Sequence, residues 1–174
     1  MKPPRAFRLL LSFVLIAAVA TAATPEEKLK ELGLKLPPTS SPVANYVPAV
    51  RTGNLVFLAG HISRGEDGKV ITGKVGREVS DKDANAAARL TALAMIATLK
   101  KEIGELSKVK RIVKVSGFVN ATDSFTGQPQ VMNGCSDLLV AVFGERGKHA
   151  RAALGMGSLP LGAVVEIEMI VEVE

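Results

Sequence analysis

The chain has 174 residues, enough for one domain with its own hydrophobic core and too few for two ordinary domains. Its single cysteine, Cys135, excludes an internal disulfide, so packing alone must hold the fold. With only His61 and His149 and no Cys/His cluster, no metal site is expected.

The formal net charge is +5, but its source is uneven. Lys2, Arg5 and Arg8 precede an apolar run from Leu9 to Ala20, and Ala20-Thr21-Ala22 has the small-x-small pattern that a signal peptidase reads. Residues 1–22 are therefore read as a signal peptide, which makes the chain an exported protein, periplasmic or secreted. The run is shorter than the roughly 20 apolar residues of a membrane span. A retained anchor is the alternative; after cleavage no stable membrane association is expected. Cleavage removes three of the 22 basic side chains and no acidic one, leaving 19 against 17. The concentrated basic face that nucleic acid or an anionic membrane requires is then not indicated.

Pro25 to Lys30 is charged and helix-favouring, and Pro37 to Pro42 is rich in Pro and Ser, so residues 23–42 are read as an extended lead-in to a domain at 43–174. Tyr46 to Val50 and Asn54 to Gly60 read as a hairpin turning at Arg51-Thr52-Gly53, and Gly65 to Gly68 as a surface turn. Ser80 with Asp83 forms the pattern of a capping box, and Ala86, Leu90, Leu93 and Ala97 follow at helical spacing. This predicts a helix from Ser80 to Lys101, stopped at Gly104. Arg111 to Asn120 is an interior strand in which Gly117 marks a bulge or a close contact. Pro129 to Phe143 is a second helix ending at Gly144.

Ala150 to Met156 and Val164 to Val173 read as the last two strands, with Ser158 to Gly162 as their loop. Along the final strand Val165, Ile167, Met169, Val171 and Val173 share one face, opposite Glu166, Glu168 and Glu172. The order β-β-α-β-α-β-β predicts an α+β fold, a mixed sheet with two helices on one face. The other face also carries apolar residues, which calls for burial by self-association.

Several residue types here can carry chemistry. Arg151 opens a strand, where its planar fork can grip a carboxylate with two parallel hydrogen bonds. Glu166, on the following strand, could move a proton in the same pocket if the two strands are neighbours. The plainer alternative is a structural ion pair of Arg151 with Glu166 or Glu168. Tyr46 offers a phenol or a ring wall, and His61 follows a strand-end glycine; simple packing and hydrogen-bonding roles compete with binding for both. Asn133, beside Gly134 inside a helix, is locally unfavourable there and implies a polar contact. Cys135 on that helix reads as a small buried hydrophobe.

Gly53-Asn54 with Phe57-Leu58-Ala59-Gly60-His61, Val131-Met132-Asn133-Gly134, His149-Ala150-Arg151, Leu159-Pro160 and Val165-Glu166-Ile167-Glu168 occur in an order and spacing that resemble one family. From Tyr46 to Glu174 the chain is similar to the RidA/YjgF family of enamine/imine deaminases, also labelled the endoribonuclease L-PSP family. That resemblance implies a chorismate mutase-like fold, homotrimers and sites in clefts between subunits. It implies that Arg151 binds the carboxylate of a 2-imino acid, that Glu166 positions or activates water, that Tyr46 lines the pocket and that Asn133 adds polar contacts. His61 is expected in the substrate pocket, where better-known members have a glutamine; Ala59 and Ala153 replace a serine and a cysteine. No cofactor is implied, because an imine is already electrophilic: water adds and the carbinolamine expels ammonia.

The favoured function is hydrolysis of small enamine or imine acids to 2-keto acids and ammonia, as by a 2-iminobutanoate/2-iminopropanoate deaminase. The rival is a non-catalytic trimeric protein that binds small molecules or acts as a chaperone in the same clefts. Ribonuclease activity ranks third, and no nucleic-acid partner is expected. RNA surfaces interleave basic and aromatic residues, and this chain has one Tyr, six Phe and no Trp.

Overall fold

The computed structural model describes residues 23–39 and 45–174. The expected leader, residues 40–42 of the lead-in and residues 43 and 44 of the expected domain lie outside the described residues. Among the described residues no helix is long and apolar enough to cross a membrane.

Helix α1 spans Pro25–Glu31, so the lead-in is not simply extended. Its start is fixed by a reciprocal cap: Thr24 N donates to Glu27 Oε2 at 2.7 Å and Glu27 N to Thr24 Oγ1 at 3.2 Å. Leu29 enters the core at 5% exposure. Glu26 Oε1 accepts from both Lys100 Nζ and the Leu106 amide, at 2.6 and 2.9 Å, which ties α1 to the rest of the helical layer.

The hairpin consists of β1, Ala49–Thr52, and β2, Leu55–Ile62, turning at Gly53, whose φ of 58° suits glycine. Helix α2 runs Asp81–Ile103; Ser80 Oγ accepts from Asp83 N at 3.1 Å, and Gly104 closes the helix. Strand β3, Val109–Asn120, leads through α3, Gln128–Phe143, to β4, Ala150–Met156, and β5, Val165–Val173, ends the domain. These form one five-stranded sheet in the order β1-β2-β5-β3-β4. All neighbours are antiparallel except β3 and β4, because the intervening helix makes that connection a crossover.

Helices α2 and α3 cover one face of the sheet. All five odd-numbered residues of β5 are buried beneath them, each contributing on the order of 1.5–3 kcal/mol. The helices approach closely because the contact is built from small residues: Ala84, Ala87, Ala88 and Ala92 are buried on α2, and a Cβ at Gly134 of α3 would strike the Asn85 backbone carbonyl. Gly117 is likewise a point of close contact, here with the Met132 side chain. The opposite face is left open and carries Val50, Phe57 and Leu154 at 53, 40 and 52% exposure.

The final two strands are not neighbours, contrary to the condition that would have put Arg151 and Glu166 in one pocket of one chain. β3 lies between them, with Arg151 opposite Val115 and Glu166 opposite Phe118.

Candidate functional site

Arg151 projects from edge strand β4 toward the helical side, since its register partner Val115 belongs to the core. It meets the first half of α3. Arg151 Nη1 donates to Asn133 Oδ1 at 3.0 Å and to Ser136 Oγ at 2.9 Å. Asn133 and Ser136 are three residues apart and therefore share a helix face. Among the described residues no carboxylate pairs with Arg151, so the structural ion pair with Glu166 or Glu168 does not form. The guanidinium is exposed, held by neutral acceptors and free of a countercharge.

Ser136 continues the cluster, because its Oγ lies 3.1 Å from His149 Nε2, while His149 Nδ1 lies 2.7 Å from the Gly147 carbonyl. Burial and, after it, the Arg151 charge push the His149 ring below its ordinary pKa, so it is neutral at pH 7. Ser136 was not singled out from the sequence, although its spacing from Asn133 is a readable signal. Neighbouring Cys135 is buried, which pushes its thiol up to about 12 and removes it as a nucleophile.

Glu166 sits elsewhere. It lies on the open side of the sheet between Ile62 and Phe118, half-buried, with its carboxylate against Gly60. A β-carbon at position 60 would occupy the place of Glu166 Oε1. The register of β2 and β5 slips between Leu58 and His61, and this irregularity puts the glycine there. Burial, and secondarily the charge of Glu168, raise the Glu166 pKa above the ordinary carboxylate value. A groove of about 270 Å³ on the same face is lined by Phe57, Lys114, Ser116, Glu168 and Ile170 among others, and includes neither Glu166 nor Arg151.

His61 turns to the core side, with Nδ1 2.8 Å from the Ala59 carbonyl and Nε2 2.8 Å from Thr98 Oγ1. Both ring nitrogens are thus engaged within the chain. Tyr46 is 55% exposed in the segment leading into β1. One copy therefore unites Arg151 with Asn133 and leaves Glu166, His61 and Tyr46 in separate places.

A mixed five-stranded sheet backed by two helices is the chorismate mutase-like architecture. The family model described as YjgF/chorismate mutase-like, putative endoribonuclease, matches residues 26–173, and the chain belongs to that family. It is 40% identical over 156 residues to protein TCP17 of Trypanosoma cruzi, covering 89% of this chain and 98% of the relative. A solved protein of unknown function from Agrobacterium tumefaciens is 45% identical, with a TM-score of 0.79 over 87% of this chain and 94% of its own. The 2-iminobutanoate/2-iminopropanoate deaminase of Dermatophagoides farinae is 28% identical over 142 residues, 81% of this chain and 95% of the relative.

Proposed function

We propose that the protein hydrolyses small enamine or imine acids to 2-keto acids and ammonia, with Arg151 holding the substrate carboxylate and Glu166 assisting the attacking water. The observation that carries this reading is the exposed guanidinium of Arg151, which has no carboxylate partner and is held in place by Asn133 and Ser136. A cation fixed by neutral groups keeps its charge for a ligand. Burial moves the Glu166 pKa upward, the direction that suits a group which both takes and returns a proton.

Arg151 and Glu166 lie on opposite sides of the sheet in one copy, so the complete site in this reading is shared between copies, as in a homotrimer. The exposed Val50, Phe57 and Leu154 on the open face support such an assembly. Export through the leader at residues 1–22 belongs to the same proposal, and the N-terminal sequence of the mature chain checks it.

The assay is ammonia release from freshly generated 2-iminopropanoate. Acceleration by the wild type and its loss in Arg151→Ala support the reading; no acceleration, or equal acceleration by the variant, sinks it. A non-catalytic binding protein is the second reading, favoured by the separation of Arg151 from Glu166 within one copy. Ribonuclease activity is a weaker third, because His61 and His149 each engage both ring nitrogens inside the chain.

A further inference from the structure

The directions of the hydrogen bonds around Arg151 follow from what each partner can do. The Gly147 carbonyl only accepts, so the proton of a neutral His149 ring sits on Nδ1, 2.7 Å away. Nε2 is then bare, and Ser136 Oγ, 3.1 Å from it, donates. The lone pairs of that hydroxyl face Arg151 Nη1 at 2.9 Å, so donation runs from Arg151 to Ser136 to His149. Asn133 Oδ1 takes the other Nη1 hydrogen at 3.0 Å. The hydrogens of Nε and Nη2 remain, and the parallel pair along that edge matches the two oxygens of a planar carboxylate.

We propose that Ser136 and His149 are positioning residues of an anion receptor: they hold the guanidinium through Nη1, present its Nε–Nη2 edge to a carboxylate, and couple binding to protonation of His149. This rests on Arg151 as the carboxylate anchor and is independent of whether the ligand is turned over. While the ring is neutral it retains the Ser136 hydrogen. Once protonated, Nε2–H donates to Ser136 Oγ, the hydroxyl hydrogen is released toward an anionic oxygen, and the site gains a positive charge. Both changes favour the bound anion, so binding takes up a proton.

The charged groups nearest His149 in chain and register are few. Arg151 comes from β4 and Asp137 lies beside Ser136 on α3. Lys114 pairs with Ala150 from β3, Lys148 with Glu145 form an ion pair at 2.8 Å on the preceding turn, and Arg146 between them donates to the Ser107 and Val109 carbonyls. The free ring lies below its ordinary 6.5, which leaves room for a bound anion to raise it.

The test is calorimetric titration of pyruvate into the full chain between about pH 5.5 and 8, where a histidine changes charge, in two buffers of different ionisation enthalpy. For the wild type, affinity rises toward low pH and the enthalpy depends on the buffer. Ser136→Ala binds about tenfold more weakly, the equivalent of one charge-assisted hydrogen bond, and Ser136→Thr restores binding. His149→Gln binds with an affinity that no longer varies across this range. Wild-type affinity and pH slope in Ser136→Ala, a slope persisting in His149→Gln, or no pyruvate binding by the wild type would each overturn the inference. A protein that binds pyruvate in this manner yet releases no ammonia from 2-iminopropanoate loses only the deaminase reading. Deamination with an unaltered pH profile in both variants removes only the relay.

Discussion

His61 and His149 are held by the same local device: Nδ1 faces the carbonyl two residues earlier, and Nε2 faces a hydroxyl on a covering helix, Thr98 for one and Ser136 for the other. What differs is the next atom along. The next atom that Thr98 Oγ1 meets, 3.2 Å away, is the Ala94 carbonyl of α2, a neutral backbone acceptor that competes with the His61 ring for the one hydroxyl hydrogen. Ser136 Oγ instead receives Arg151, an exposed cation. One histidine is a tie between sheet and helix; the other reaches a charge that a ligand can touch. The role of a part-buried imidazole is set by what its partner's hydroxyl oxygen meets next.

The comparison can be broken most severely at Gly134, where α3 rests on the Asn85 carbonyl. Gly134→Ala displaces both helices and with them both hydroxyls. The expected cost is about 3 kcal/mol in chemical denaturation, accompanied by weaker pyruvate binding. Thr98→Val separates the two cases. It strands a ring nitrogen of His61 in the interior and lowers stability by about 1–3 kcal/mol, or roughly 3–10 °C in Tm, while pyruvate affinity stays unchanged. Loss of pyruvate binding in that variant would show that the two histidines are not separable.

Acid titration sharpens the contrast further. Burial lowers the His61 pKa below its ordinary 6.5, so as pH falls the unfolded chain takes the proton first. The stability contributed by the neutral ring is present above about pH 6.5 and is lost as pH falls through its lowered folded value. In a urea series, His61→Gln, which removes the titrating ring, should lose stability less steeply than the wild type over that window. The smallest effect is expected at Glu166, whose pKa is raised in the fold. A raised carboxylate costs stability above its folded value, so Glu166→Gln gains a fraction of a kcal/mol at neutral pH, fading as the wild-type group protonates in acid. An unchanged or lower midpoint at pH 7 would contradict this.

Period two along Val165 to Val173 was enough to place the last strand and its buried face, and the Ser80 and Gly104 signals placed the long helix within a few residues. The partnership of Asn133 with Arg151 was half legible, because an asparagine inside a helix needs a reason. Strand order was not, since adjacency along the chain says nothing about the β3–α3–β4 crossover that inserts β3 between Arg151 and Glu166. For Ser136 the sequence offered only its spacing from Asn133, and the partners on either side give it its role. The packing of α1 was missed because Pro and Ser downstream dominated the local pattern, whereas Glu26 is anchored by Lys100 and Leu106, 74 and 80 positions away, and Leu29 is buried in the core.

The contact between Gly60 and the Glu166 carboxylate has a bearing on how such a chain diverges. The space that the carboxylate occupies exists only while residue 60 lacks a β-carbon. One nucleotide change in a glycine codon can supply that carbon, evicting the acid from its seat without altering Glu166, Arg151 or any residue of α3. Under the function proposed above, in a lineage where Arg151 still grips its anion, that single step would separate recognition from proton transfer, leaving a receptor descended from a hydrolase by the addition of one methyl group.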